Sequence, residues 1–330
     1  MKAPNRRGTT AVLITGAAGF AGSHLAEECA RRGWEVHGTA RSGEGTENLA
    51  AVPVAVIHRC ELSDADAVRT LVEEVQPAQV YHLAAQASVQ RAWQDPMATL
   101  TNNIAAQLAI LRAVQVTCPQ ARVLVVSSSE VYGRIDPARL PVKEDAPLGP
   151  LDPYAVSKVT QDMMAFQYFR SYGLPIIRTR AFNHEGPRRG DVFVTSNFAR
   201  QVAEIEAGLR EPIVYVGDLT PRRDYSDVRD IVRGYWLLLE RGEPGEVYNL
   251  CSGKSWQIQQ VLDFLLGLST VKGITVKTDP ARLRPSDVMI LEGSPAKIHK
   301  ATGWKVEIPF ERTLTELVDY WRQRIRASTR

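Results

Sequence analysis

Between Ala11 and Ser127, five short apolar runs alternate with stretches whose apolar residues fall at helical spacing. That rhythm restricts the fold more than any other feature of the chain. The runs are Ala11–Thr15, Glu35–Thr39, Val54–His58, Gln79–Ala84 and Arg122–Ser127; helical spacing holds over Ser23–Arg32, Asp64–Val75 and Leu100–Val116. Strand–helix alternation predicts βαβ units and a parallel sheet with helices on both faces. Runs dominated by Val, Leu and Ile suit strands buried on both sides. The predicted class is α/β: a doubly wound parallel sheet followed by a smaller C-terminal domain.

The first strand–helix junction is rich in glycine. Val12-Leu13-Ile14-Thr15 runs into Gly16-Ala17-Ala18-Gly19-Phe20-Ala21-Gly22, and a helical pattern starts at Ser23. The G-x-x-G-x-x-G spacing is one residue wider than the dinucleotide fingerprint, but the physics is the same. Gly16 permits a tight turn, Gly19 lets the backbone approach a pyrophosphate, and Gly22 lets the helix pack close to the strand. The helix N-terminus offers N–H groups and a positive dipole end to phosphates. The sheet is thus Rossmann-like, with Gly16, Ala18, Gly19, Phe20, Ala21 and Gly22 as candidate cofactor-binding positions. In such sheets the second strand usually ends in Asp or Glu when the ligand is NAD, because an acid accepts from the ribose 2′-OH. Here it ends Gly38-Thr39-Ala40-Arg41-Ser42. Arg41 and Ser42 suit a 2′-phosphate, so NADP is the expected cofactor, with Glu44 and Glu47 the nearest acids beyond.

Composition narrows the class further. The chain has 330 residues, and 40 Lys+Arg against 37 Asp+Glu leave a formal charge of +3. The length suits about two domains. No window approaches the roughly 18 apolar residues of a membrane span. Met1–Thr10 is polar and basic, and the apolar run after it is shorter than the roughly 7–15 residues of a secretory core. A cytoplasmic location is expected. Cys29, Cys60, Cys118 and Cys251 are scattered without a C-x-x-C, so neither a disulfide framework nor a metal site is expected. The near-balance of charge gives no reason to expect nucleic acid or a membrane surface as partner.

The second half is less regular. Asn183–Gly190 and Gly217–Asp224 read as loops, Asp279–Gly293 as irregular, and helical patterns return at Asp227–Glu240, Gln257–Leu266 and Phe310–Arg324. The expected division is a cofactor domain over residues 1–180 and a substrate domain over 181–330, with about 226–251 returning to the first.

Two segments carry candidate chemistry. In Pro150-Leu-Asp-Pro-Tyr-Ala-Val-Ser-Lys158, Tyr154 and Lys158 lie four residues apart and share a helix face. A Lys beside a Tyr favours the phenolate, and a phenol so tuned can exchange a proton with an alcohol or ketone. The fifth strand ends Ser127-Ser128-Ser129-Glu130. Open α/β sheets place active sites at this C-terminal edge. Ser128 could hold a substrate oxygen, and Glu130 could act as a base.

In order and approximate spacing, the glycine loop, the Ser128 cluster and the Tyr154/Lys158 pair resemble the extended short-chain dehydrogenase/reductase family. The resemblance implies a Ser–Tyr–Lys triad acting on a nucleotide sugar. It also implies that Leu83, Ala84, Ala85 and Gln86 line the cofactor and that Glu61 and Leu62 lie near its adenine. The family usually has Asp-Leu where this chain has Glu61-Leu62.

Phe182-Asn-His-Glu-Gly-Pro-Arg-Arg-Gly190, Arg222-Arg-Asp-Tyr225, Val247–Gly253, Arg282–Val288 and Thr302–Lys305 extend the likeness to the GDP-mannose 4,6-dehydratase and GDP-4-keto-6-deoxy-mannose reductase group. By that likeness Asn183, Arg223 and Arg284 hold sugar and diphosphate. Asn197 and Asp287 serve the substrate's nucleotide end, Val194 joins the substrate-binding residues, and His184 and Arg189 border the cofactor. Arg suits diphosphate because its planar fork matches phosphate oxygens.

Both activities of this group use the same triad. A reductase passes hydride from NADPH to a C4 ketone while Tyr154 donates the proton. A 4,6-dehydratase also needs a base at C5, and Glu130 matches that position. Ser128 in place of the dehydratases' usual Thr, the short loop after Arg41, and the segments Val247–Gly253 and Asp279–Lys305 favour the reductase. A nucleotide-sugar 4-epimerase or a non-catalytic NADP-binding regulator are the more distant alternatives. The family pattern implies a homodimer, with a tetramer as the larger option.

Overall fold

The computed structural model describes residues 11–50, 52, 55–283 and 288–328. These form two compact units. The first takes the chain to Ser128 and adds Asp152–Arg180 and Val232–Tyr248; the second comprises Ser129–Leu151, Ala181–Ile231 and the chain from Asn249 onward.

The first unit is built on β1 (Ala11–Thr15), β2 (Glu35–Ala40), β3 (Ala55–Arg59), β4 (Gln79–His82), β5 (Arg122–Ser128) and β6 (Ile176–Ala181). Among the described residues a seventh strand, Val247–Leu250, completes the sheet beyond β6; the rest follow in the order β6-β5-β4-β1-β2-β3. β1 pairs in parallel with β2 (Val12↔Val36) and with β4 (Val12↔Gln79). The strand order therefore reverses between β1 and β4, the point at which open α/β sheets open a crevice for ligands. This is the doubly wound α/β class that the alternation predicts. Val54 of the third apolar run lies outside the described residues.

Helices α1 (Phe20–Arg31), α2 (Ala65–Val75), α3 (Val89–Gln94), α4 (Pro96–Thr117) and α5 (Pro153–Tyr172) cover the sheet's faces. Several starts are written plainly in the chain. Asp64, Asp95 and Asp152 cap α2, α4 and α5 by accepting from backbone N–H groups of the first turn, and proline opens α4 and α5. Gly173 ends α5 at φ 71°, a left-handed conformation that glycine adopts without strain. Leu13, Val80, Val123 and Val125 of the sheet pack with Val68, Leu71 and Val72 of α2 and Ile110, Leu111 and Val114 of α4. Each such side chain contributes about 1.5–3 kcal/mol on burial. A buried ion trio ties α5 to β6: Asp162 accepts from Arg178 at 2.6 Å and from Arg180 at 2.8 Å.

The second unit holds β7 (Asn183–Glu185), β8 (Ile213–Val216), β9 (Arg222–Asp227), β11 (Ser255–Gln257), β12 (Thr275–Thr278) and β13 (Ile290–Leu291), with β10 being the Val247–Leu250 strand. β9 is its hub, flanked by β11 and β13 and paired in parallel with β7 (Asn183↔Tyr225). Helices α6 (Val194–Glu206), α8 (Ile258–Gly267), α9 (Ala296–Thr302) and α10 (Phe310–Ser328) belong here; α7 (Val228–Arg241) starts here and continues into the first unit. Phe198, Val202, Tyr225, Leu262, Leu265, Phe310, Leu314 and Leu317 form its core.

Two expectations are corrected. Asn183–Glu185, expected in a loop, is a strand, and β9 begins inside the expected loop Gly217–Asp224. In each case the partner strand is remote in sequence, so the local pattern does not reveal the pairing. The segment 129–151 is also held in the second unit by non-local bonds. Tyr132 donates to Asn249 Oδ1 at 2.7 Å, and Asn249 Nδ2 donates to the carbonyl of Val142 at 3.0 Å.

Candidate active site

The glycine loop leaves β1 at the switch point in a form that only glycine permits. Gly16 has φ +70°, and a Cβ there would meet Ala84 Cα at 3.1 Å. A Cβ on Gly22 would sit 2.1 Å from the Gly16 carbonyl oxygen and 2.8 Å from Ala17 Cα. The loop is pinned from β2, where Thr39 Oγ1 accepts from Gly16 N at 3.2 Å and the Thr39 carbonyl accepts from Ala17 N at 3.1 Å. No side chain caps α1 and its first turn holds no acid, so its electropositive end is not neutralised from within the helix.

At the end of β2, Arg41 and Ser42 are exposed. Glu44 does not replace the missing acid of the strand end; its carboxylate accepts from the backbone N–H of Arg41 at 2.9 Å. The turn is braced by Arg59 at the end of β3, which donates to the carbonyl of Arg41 at 2.8 Å and to that of Glu44. Sequence reading missed Arg59. Its signal was a second Arg at the end of the strand next to β2. Glu61 turns back on Ser63, accepting from its hydroxyl at 3.1 Å, and Leu62 is buried in the core.

Opposite the glycine loop, Leu83–Gln86 is held by Thr15 and Asn103. Thr15 Oγ1 accepts from the N–H groups of Leu83 and Ala84 at 3.2 and 3.1 Å. Its own proton is then left for His82 Nδ1, 2.9 Å away. Burial, together with the nearby Lys158 charge, pushes His82 down to about 3. Asn103 accepts from Gln86 N at 2.7 Å and donates to Ser157 Oγ on α5 at 2.9 Å. A buried Asn among apolar neighbours on α4 was the signal for this positioning residue.

The α5 pair falls as the spacing requires. Lys158 Nζ lies 5.9 Å from the Tyr154 ring centroid; Tyr154 is half-buried and Lys158 buried. Lys158 Nζ donates to the Val126 carbonyl at 2.8 Å, while Ser127 Oγ donates to the Lys158 carbonyl at 3.1 Å. The Ser end of β5 is thus fastened to α5 at Lys158, with Ser128 as its last residue. Burial pushes Lys158 down to about 7. Glu130 lies in the short helical turn Ser129–Tyr132.

In the second unit, Asn183 stands opposite Tyr225 in the β7/β9 ladder, and His184 Nδ1 lies 2.9 Å from the Phe182 carbonyl. Arg189 stacks on Phe193 at 3.4 Å. Val194 opens α6 and is 36% exposed. Asn197 Oδ1 accepts from Gln201 at 2.8 Å and from Arg282 at 2.7 Å. Arg282, which sequence reading quoted but gave no role, also lines a cavity of about 650 Å³ with Arg210, Tyr215, Glu204 and Asp279. Arg223 donates to the carbonyls of Arg222 and Val288. Its neighbour Asp224 is fully buried and accepts from Ser252 and Gly253, yet burial still pushes it up to about 6. Arg284 and Asp287 lie outside the described residues.

Over residues 13–317 the chain matches the protein family described as GDP-mannose 4,6 dehydratase. The chain belongs to that family. It is 35% identical over 320 residues to the GDP-6-deoxy-D-mannose reductase of Pseudomonas aeruginosa, covering 96% of this chain and 99% of the relative. It is 31% identical over 346 residues to the GDP-mannose 4,6-dehydratase of Yersinia enterocolitica, covering 93% and 92%. Among solved structures, RMD from Pseudomonas aeruginosa complexed with NADPH superposes with a TM-score of 0.83 at 33% identity, covering 96% of this chain and 100% of that one. The UDP-glucose 4-epimerase of Thermotoga maritima superposes at 0.86 with 27% identity, covering 96% and 100%. Among the described residues no helix is long and apolar enough to cross a membrane, and no group of three or more His, Cys, Asp or Glu could hold a metal ion.

Proposed function

We propose that this chain is an NADPH-dependent oxidoreductase that reduces the C4 ketone of a GDP-4-keto-6-deoxy-hexose. The observation that carries the reading is the buried Lys158 ammonium set beneath the ring of Tyr154 at the C-terminal edge of a sheet whose switch point holds a glycine cradle. The cradle fits a dinucleotide. Gly16 makes the turn, Gly19 leaves the backbone open to a pyrophosphate, Gly22 lets α1 pack against the loop, and the uncapped start of α1 faces the same loop. Arg41, braced by Arg59, with Ser42 beside it, fits a 2′-phosphate better than a ribose hydroxyl. Ala18, Phe20, Ala21, Glu61, Leu62 and Leu83–Gln86 complete the cofactor assignment, with His184 and Arg189 added from the likeness alone.

NADPH, when bound, supplies the hydride. The residues of the chain manage the proton and the charge. Tyr154 donates its phenolic proton to the ketone oxygen as that oxygen becomes negative, and Ser128 donates a hydrogen bond to the same atom. Lys158 stabilises the phenolate that remains, which makes the transfer feasible near neutral pH. Asn183, Val194, Asn197 and Arg223 are assigned to the sugar nucleotide, with Arg284 and Asp287 from the likeness alone. Arg282 joins the set because it is bonded to Asn197 and lines the adjoining cavity.

Reductase is favoured over dehydratase by the higher identity to the reductase, 35% against 31%, and by the short loop after Arg41. The deciding experiment offers the protein GDP-mannose alone, then GDP-4-keto-6-deoxy-mannose with NADPH. Stoichiometric loss of NADPH absorbance with the keto sugar is expected. Keto sugar formed from GDP-mannose without added reductant would overturn the assignment and make Glu130 the C5 base. Replacing Arg41 with Ala should raise KM for NADPH roughly 10–100-fold and leave NADH almost untouched, the loss expected for about 1.5–3 kcal/mol of charged hydrogen bonding. A homodimer is part of the proposal. Met97, Leu108 and Val116 on α4 and Val156, Met163 and Phe166 on α5 are exposed, more large apolar side chains than two neighbouring helices of a monomer usually show.

A further inference from the structure

Glu185 is one of the buried carboxyls of the second unit. It is 1% exposed on β7, and its Oε2 makes no hydrogen bond. The nearest cation is Arg189, whose Nε stands 3.7 Å from that oxygen, outside hydrogen-bond range. A buried carboxylate left without a closed partner is costly, so such a group either takes up a proton or waits on a cation that other ligands can claim. The backbone of Arg189 is fixed: its N–H donates to the Gly186 carbonyl at 3.2 Å and its carbonyl accepts from Ser196 Oγ at 2.8 Å. Its guanidinium is not clamped by Glu185 and rests on the Phe193 ring at 3.4 Å. The two residues are four apart, with the left-handed Arg188 (φ 75°) between them.

We propose that Glu185 is a positioning residue for Arg189, and that a phosphate-bearing ligand draws the Arg189 guanidinium away from it, so that binding is coupled to proton uptake by Glu185. This rests on the assignment of Arg189 to the cofactor's surroundings.

The surroundings of Glu185 support one direction of coupling. Burial pushes its carboxyl up to about 7, and Arg189 opposes that rise. When Arg189 turns to a phosphate, the opposition weakens and the carboxyl climbs further, so it gains a proton near pH 7. The other groups facing it from β9 do not compete for this role. Tyr225, two residues before the register partner of Glu185 on β9, is buried and pushed up to about 12, so it stays neutral. Asp227, the residue in register with Glu185, is held by Arg229 at 2.7 Å and by Thr313 of α10 at 2.8 Å. Arg223 on β9 is engaged with the Val288 carbonyl. Glu185 Oε2 takes no hydrogen bond from the buried hydroxyls of Tyr225 and Ser226 on β9 or of Thr195 on α6.

The sign follows from linkage. Binding that takes up a proton weakens as pH rises, by up to tenfold in Kd per pH unit once pH exceeds the free-state value near 7. The test is calorimetric titration of the full-length protein with NADPH, and separately with GDP, in buffers of different ionisation enthalpy between pH 6 and 9. Comparing wild type with Glu185→Gln cancels any proton taken up elsewhere, at Lys158 for instance. Glu185→Gln mimics the protonated carboxyl, so it should bind at all pH values as tightly as wild type does at pH 6. It should also take up measurably fewer protons at pH 7 with the ligand that Arg189 meets. Arg189→Gln should bind that ligand at least tenfold more weakly and with the same reduced uptake. Equal proton uptake by wild type and Glu185→Gln with both ligands would overturn the coupling. So would a Glu185→Gln variant that keeps native circular dichroism yet loses affinity at pH 6. Failure of wild type to bind either ligand would instead refute the proposed function.

Discussion

Tyr154→Phe is expected to lower turnover of the keto sugar by about 10²–10⁴ while leaving NADPH affinity within a few-fold of wild type. The substitution removes one oxygen and one proton from a half-buried ring, so packing is nearly conserved. What it removes is the acid that protonates the C4 oxygen as hydride arrives. Without it the developing alkoxide is left to Ser128 and water. Lys158→Met should produce a loss of similar size by a different route. The phenol is still present, but the ammonium that stabilises its phenolate is gone, and so is the bond from Nζ to the Val126 carbonyl that fastens α5 to the end of β5. Single-turnover absorbance of the nicotinamide separates the two effects from binding, and equilibrium fluorescence titration reports NADPH affinity. A Tyr154→Phe enzyme that keeps near-normal turnover would remove Tyr154 from the mechanism. It would also reopen the possibility that the chain binds NADP without using it.

The parts of this site that were legible in the sequence are those set by local chemistry. The glycine spacing, the missing acid after β2 and the four-residue step from Tyr154 to Lys158 each state a backbone requirement or a helix face within a few residues. The caps Asp64, Asp95 and Asp152 act just as locally, each on the turn it precedes, but the sequence reading did not name them. The parts that stayed hidden depend on partners far along the chain. Asn103 links Gln86 to Ser157, Asn249 draws residues 129–151 into the second unit, and β7 exists only because β9 lies beside it. Arg59 was hidden for the same reason: its role at the Arg41 turn follows from the β2/β3 register, which pairs Ala40 with Arg59. Arg282 was overlooked because its bond to Asn197 spans 85 residues. Sequence pattern identifies a residue's own conformation well. It does not report which remote atom will complete its hydrogen bonds.

Among these legible features, Gly22 makes the most severe structural demand. Gly22→Ala would place a methyl 2.1 Å from the Gly16 carbonyl oxygen and 2.8 Å from Ala17 Cα. Both obstacles are backbone atoms, so no rotamer change relieves the contact, and α1 must move away from β1. Overpacking against fixed neighbours costs about 3 kcal/mol, which for a domain of this size lowers Tm by roughly 6–12 °C. The same displacement carries the N-terminus of α1 away from the phosphate cradle, so NADPH affinity should fall at least tenfold even at temperatures where the variant remains folded. Gly267→Ala supplies the contrast. That glycine is also helical, but a Cβ there would meet no atom within 4 Å, and alanine is the better helix former by about 1 kcal/mol. Thermal melting with and without NADPH should therefore show Gly22→Ala destabilised and poorly rescued by the cofactor, with Gly267→Ala at or slightly above wild type. If both variants melt together with wild type, then the close approach of α1 to β1 is not what holds the loop in shape. The cradle would then have to be maintained by the Thr39 bonds to Gly16 and Ala17 alone.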